Sequence, residues 1–167
     1  MAVSAMGLDI GGAAVILGID PGREKAGWAL VEQDGTLLVS GMFRVANALV
    51  FFRAVAARDF PALEEFVLEK RMHDASLSSL SEIVMGNGTG KEYFLSLAQS
   101  ASLGVKLVPE RGTTLTARNL YWMLHPPRGF WRLISTKFRV PPRDIDDFAA
   151  WAIVRCYCGI QSEEDRK

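Results

Sequence analysis

Cysteine is almost absent from this chain: Cys156 and Cys158, separated by one residue, are the two it has. So few, so close together, supply neither a secreted disulfide framework nor a four-ligand zinc site, and a reducing, cytoplasmic setting is expected. Histidine is equally scarce. His73 and His125 have no ligand-like spacing, and core or surface roles are expected for both. Neither charge sign is in excess, with 19 basic and 19 acidic side chains. That balance lacks the broad positive field of an architectural nucleic-acid binder, so any nucleic-acid face has to be local. Long apolar runs are missing too. Residues 1–14 lack a basic leader region and are interrupted by Asp9, so neither a secretory signal nor a membrane partner is expected.

What the chain does have is core-forming material, 49% hydrophobic and 23% charged residues, in a length suited to a single domain. No internal repeat is visible. The expected organisation is one domain over 15–159, a flexible N-terminal extension over 1–14 and a polar tail over 160–167.

The run Val15-Ile16-Leu17-Gly18-Ile19-Asp20 is nearly all apolar and ends at Pro21-Gly22, which predicts a strand buried on both faces with Asp20 at its C-terminal end. Gly27–Glu32 and Thr36–Phe43 read as two more strands around the hairpin turn Gln33-Asp34-Gly35, completing a three-stranded antiparallel meander. A helix is expected over Ala46–Ala57, and Leu63–Arg71 is ambiguous, with helix favoured over strand. Glu82–Met85 and Val105–Val108 read as strands four and five, with a helix over Glu92–Ser102 between them. Strand, helix, strand in that order implies parallel pairing. A helix capped by Thr113 or Thr114 should run to Leu124, then a long Arg-rich loop to Pro142, then a last helix from about Asp144 to Cys158. The expected class is therefore α/β, with a five-stranded mixed sheet flanked by helices.

Two acidic features stand out. A strand-end aspartate among small residues needs a cation or hydrogen bonds to stay charged, although an Asp-Pro-Gly turn that caps its own backbone is a common alternative. At the other end, Asp144-Ile145-Asp146-Asp147 opens a helix, where Asp144 and Asp147, three apart, are expected to face one way. Acids at a helix start are also favoured by the dipole alone. A strand-end acid converging with helix-start acids is the kind of oxygen-donor set that suits Mg²⁺.

The residues Ile16 to Val31 (ILGIDPGREKAGWALV) resemble the first strand and hairpin of RuvC-type resolvases and of the YqgF family of pre-ribosomal RNA nucleases. Asp144 to Ile153 (DIDDFAAWAI) resembles their C-terminal acidic helix. Glu82 to Gly90 (EIVMGNGTG) and Leu107 to Ala117 (LVPERGTTLTA) resemble the fourth and fifth strand regions of YqgF-like proteins. The resemblance implies an RNase H-like fold and a nuclease whose catalytic carboxylates are Asp20, Glu110 and Asp147, with Asp144 or Asp146 beside them. It also implies two Mg²⁺ or Mn²⁺ ions and a substrate of structured RNA or, as the alternative, branched DNA cut by a dimer. A noncatalytic nucleic-acid-binding module of the same fold is the third reading. The oligomeric state, monomer or homodimer, stays open. Pro109 departs from the family pattern, which has an acid there, and Arg128–Arg143 is an insertion. Glu69 is the alternative glutamate if Leu63–Arg71 is a strand, because RuvC resolvases carry theirs on the fourth strand.

Arg111, Arg128, Arg132, Lys137, Arg139 and Arg143 are the candidate nucleic-acid contacts. Within the loop they alternate with Phe130, Trp131 and Phe138, a pattern that can grip phosphates and stack on unpaired bases, or equally can pin a solvated loop to the core. Gly86-Asn87-Gly88-Thr89-Gly90 reads as a turn able to touch phosphate, without the Lys-Ser/Thr ending of a P-loop.

Overall fold

The computed structural model describes residues 13–72, 75–109 and 112–160. Six strands form one sheet: β1 (Val15–Asp20), β2 (Lys25–Glu32), β3 (Leu37–Arg44), β4 (Val67–Lys70), β5 (Leu80–Gly86) and β6 (Lys106–Val108). Their spatial order is β4-β3-β2-β1-β5-β6. Neighbours from β1 to β4 pair antiparallel, while β5 runs parallel to β1 and β6 parallel to β5. Four helices accompany the sheet: α1 (Ala48–Ala56), α2 (Lys91–Ser100), α3 (Thr113–Leu124) and α4 (Asp146–Tyr157). The expected α/β class and mixed sheet are both present, with one strand more than expected.

The extra strand comes from the ambiguous segment. Pro61–Phe66 is a 3-10 helix, and the chain then extends as β4, where a longer helix was favoured. Four residues carry too little periodicity to declare a strand, and what decides is the open edge of β3, whose Ser40 and Val39 pair with Glu69 and Lys70. A second local correction concerns α3. Its N-cap is Gly112 in the left-handed region (φ 74°), without a side-chain cap, so neither Thr113 nor Thr114 caps it.

Alternation along the strands divides the core in two. Leu17, Ile19, Trp28, Leu30 and Phe43 face Phe51 and Phe52 of α1 and Phe94 of α2. Ile16, Ala29, Val31 and Val84 face the other way, onto Leu120 and Tyr121 of α3 and Phe148, Trp151 and Ile153 of α4. The sheet is thus sandwiched between two helical layers. Helix α4 lies directly on β1 and β2 because those strands carry glycine beneath it. A Cβ on Gly18 would stand 2.5 Å from the Ala150 carbonyl oxygen, and one on Gly27 would stand 2.0 Å from that of Asp146. The close approach fixes where the acidic start of α4 sits. No helix among the described residues is long and apolar enough to cross a membrane.

Candidate active site

Asp20 closes β1, opposite Gly27 of β2. It is an even-numbered position of that strand, like Ile16 and Gly18, and so falls on the α4 side of the sheet. Gly27 is also the glycine that Asp146 covers. The strand-end acid and the first residue of α4 therefore occupy neighbouring ground, one across the ladder from Gly27 and the other above it.

Around that ground the acids share a cation. The Lys25 ammonium, two residues before Gly27, donates a hydrogen bond to Asp144 Oδ2 and lies 3.2 Å from Asp146 Oδ2. The hydrogen bond to Asp144 raises the Lys25 pKa above its ordinary value of 10.5, burial working against this and the charge of Asp146 adding to it. Asp146 Oδ2 itself is buried and receives no hydrogen bond, so the approach of Lys25 is an ionic contact without hydrogen-bond geometry. A buried carboxylate oxygen left in that state favours a further cation.

Asp147 behaves differently. It is fully buried, and its carboxylate accepts from the Ser40 hydroxyl at 2.8 Å and from both terminal nitrogens of Arg143 at 2.9 and 3.1 Å. Arg143 also donates to Glu69 Oε1 at 3.0 Å, and His125 Nε2 donates to the same oxygen at 2.8 Å. Burial opposes the charge on Arg143, but Asp147 and then Glu69 outweigh it and raise its pKa. Ser40 belongs to β3, so this hydrogen bond ties the start of α4 to the third strand of the meander.

Asp147, expected as a metal ligand, has Arg143 and Ser40 as its partners. Asp144 lies before the helix, which starts at Asp146, so helical spacing does not align Asp144 with Asp147. Successive residues of a helix differ by about 100° in direction, which turns Asp146 toward Lys25 while Asp147 turns toward β3. Glu69, expected on a solvated helix, is on β4 with its side chain only 15% exposed. Although β4 is a strand, it stands three strands from β1, so it does not bring Glu69 to Asp20. Arg143, expected to grip nucleic acid, donates to Asp147 and to Glu69.

Glu110 and Arg111 lie outside the described residues, as does His73. The strand that precedes Glu110 is described. β6 is parallel to β5 and β5 to β1, so the chain leaves β6 after Val108 at the same end of the sheet as Asp20. Among the described residues no three His, Cys, Asp or Glu side chains gather into a metal-binding group. Arg128, Arg132 and Lys137 are exposed, and Arg139 is half-buried, donating to the Arg132 carbonyl at 3.1 Å and standing 5.9 Å above the Trp122 ring. Gly90, ending the Gly86–Gly90 turn, packs against Gly22 in the left-handed region (φ 93°) at the start of α2.

Asp146, which the sequence places only beside the expected ligands, has its backbone directly over Gly27, a close approach that the small Ala149-Ala150 pair permits.

No protein-family model matches the chain, and no curated protein matches it. Among solved structures the chain is similar to T. thermophilus RuvC in complex with a Holliday junction substrate, at 16% identity and a TM-score of 0.43 over 88% of this chain and 97% of that one. It is also similar to a second Thermus thermophilus RuvC structure, at 14% identity and a TM-score of 0.42 over 87% and 95% of the two chains. At that level of likeness the chemistry has to be argued from the chain's own residues.

Proposed function

We propose that the chain is a divalent-metal-dependent nuclease that hydrolyses phosphodiester bonds in structured nucleic acid. The observation that carries this is the placement of the first residue of α4 over Gly27, the ladder partner of Asp20, with Asp146 Oδ2 buried and lacking a hydrogen bond. All donors there are carboxylate oxygens, the chemistry that Mg²⁺ or Mn²⁺ selects over softer metals.

Asp20 and Asp146 would hold the metal, with Asp144 at the rim. Glu110, which lies outside the described residues and follows β6 in sequence, is the acid that would extend this set. Bound there, such ions supply a water activated near neutral pH and neutralise charge on the leaving oxygen. The chain's own task is to keep the acids ionised and close. Lys25 offsets the mutual repulsion of Asp144 and Asp146 before a metal arrives, and Gly27 lets the helix descend far enough to bring Asp146 to the strand end.

Structured RNA, implied by the Glu110-Arg111-Gly112-Thr113 motif, and branched DNA, the substrate class of the resolvase noted above, are the two substrates to compare. The test is cleavage of matched RNA hairpins, single strands and four-way DNA junctions with Mg²⁺, with Mn²⁺ and with chelator. Metal-dependent cuts in either substrate that disappear in Asp20→Asn support the proposal. Tight binding with no cleavage in any metal would make the chain a noncatalytic module.

A further inference from the structure

Between α3 and α4 the backbone forms only two short 3-10 helices, Gly129–Leu133 and Thr136–Phe138. Its apolar side chains stand in solvent: Phe130 is 74% exposed, Trp131 56% and Phe138 77%. The chemistry proposed above uses none of them. The same stretch, 126–142, carries three arginines and one lysine and no acid. Exposed rings interleaved with unopposed cations are costly to leave bare in water, which makes the pair of features a candidate contact surface.

Two clefts shape that surface. One, of about 400 Å³, is lined by Trp122, His125, Trp131, Val140 and Pro142; the other, of about 430 Å³, by Arg132 and Arg139. They share Pro126, Pro127 and Arg128 as a common rim. An aromatic floor thus adjoins a cationic wall. The wall is held in shape from inside, by Arg139 on the Arg132 carbonyl and on the Trp122 ring and by Arg118 on the Lys137 carbonyl at 3.5 Å.

We propose that this loop is a binding site for unpaired nucleobases, in which a base enters the Trp122–Trp131 cleft and the flanking phosphates lie on Arg128, Arg132 and Lys137. Charge decides among occupants. A second copy of the chain docked two-fold on this face would set one acid-free cationic stretch against another, so self-association is disfavoured here. A nucleic-acid strand satisfies both features at once, because phosphates are anionic and every base has a stacking face. The inference rests on the nuclease reading for its class of ligand, and narrows it to structured nucleic acid that presents an unpaired segment.

The test reads binding, not cleavage, on the Asp20→Asn chain in chelator. Three fluorescent probes are titrated at fixed salt: a blunt duplex, the same duplex with an unpaired thymidine arm, and that duplex with an abasic arm. The thymidine arm should bind about tenfold tighter than the abasic arm, the scale of stacking one or two bases on aromatic rings. Trp131→Ala should erase that preference and change blunt-duplex binding less than about twofold, because stacking is the only contact it removes. Arg128→Gln with Arg132→Gln should weaken all three probes together. Equal affinity for the thymidine and abasic arms would overturn the proposal, as would a Trp131→Ala variant that keeps the preference. Sedimentation showing a dimer that Trp131→Ala dissolves would assign the face to a second copy instead. Metal-dependent cleavage by the unsubstituted chain is a separate measurement, so either reading can fail while the other stands.

Discussion

Asp146 and Asp147 are adjacent in sequence and opposite in circumstance. Asp147 is completely buried, gripped by Ser40 and both terminal nitrogens of Arg143, in a network that continues through Glu69 to His125. Asp146 stands one residue earlier, its side chain 35% exposed, with its buried Oδ2 in an ion pair with Lys25 at 3.2 Å and accepting no hydrogen bond. A fully satisfied buried acid fixes architecture, since removing it would strand a guanidinium and a hydroxyl in low dielectric. An acid whose partner is incomplete retains capacity for a ligand. The contrast teaches that burial and partner count can differ completely between adjacent acids of one helix start.

The sharpest way to break this comparison is to neutralise the two sides separately. Asp20→Asn and Asp146→Asn should each abolish metal-dependent cleavage and leave the far-ultraviolet circular dichroism and melting temperature near those of the parent chain. Asp147→Ala should do the reverse, costing about 3 kcal/mol in urea unfolding, the usual scale for breaking a buried ion pair by removing one partner. Cleavage per folded molecule should survive it in part. A stable Asp147→Ala protein with no activity would exchange the two roles.

A smaller effect tests how far the structural network reaches. Glu69→Gln keeps an acceptor for Arg143 and His125 but removes the charge, and should cost about 1 kcal/mol with cleavage unchanged. Glu110→Gln should lose cleavage with stability unchanged. Finding the opposite pair of results would return the catalytic glutamate to β4.

Next in size is the salt dependence of binding. Replacing Arg128, Arg132 and Lys137 together by Gln should flatten the slope of log affinity against log salt by up to about 2 to 3, since each phosphate contact contributes roughly 0.9 for duplex DNA. An unchanged slope would mean that the exposed cations touch no phosphate.

The smallest effect applies the same reasoning to a half-buried acid with partners. Glu82 accepts from the Tyr157 hydroxyl and from Lys106 at 2.9 Å, and these, in that order, lower its pKa below the ordinary 4.5. A carboxylate depressed in this way stabilises the fold above its unfolded pKa and loses that contribution as pH falls through its folded value. Glu82→Gln should therefore differ from the parent slightly at neutral pH and not at all in acid, measured by urea midpoints from pH 7 downward.

Much of this frame was legible in the residues themselves. The unbroken apolar run before Asp20 gave β1, Asp34-Gly35 gave the hairpin, and the order of strand-like and helix-like runs gave a mixed sheet with parallel strands β5 and β6. The fourth antiparallel strand was not legible, because Val67–Lys70 pairs through an edge that only the folded β3 provides. The arrangement of the acids was legible only in part, for a related reason. Periodicity identifies acids spaced three apart, but which of them turns toward β1 depends on where α4 begins and on how deeply Gly18 and Gly27 let it settle. The Arg143 network was invisible for the same cause: it joins β3, β4, α4 and His125 just after α3, parts far apart in the chain, and no local spacing announces it.

The central claim, that Asp20 and Asp146 hold metal while Asp147 holds the fold, is tested most directly by Mn²⁺ binding, followed calorimetrically or by electron paramagnetic resonance. Four proteins are compared: the parent chain, Asp20→Asn, Asp146→Asn and Asp147→Asn, the last chosen because an amide oxygen can still accept from Ser40 and Arg143. The account predicts that Mn²⁺ binding is lost in Asp20→Asn and Asp146→Asn and retained in folded Asp147→Asn. Loss of Mn²⁺ in a folded Asp147→Asn chain, with normal binding in Asp146→Asn, would contradict it.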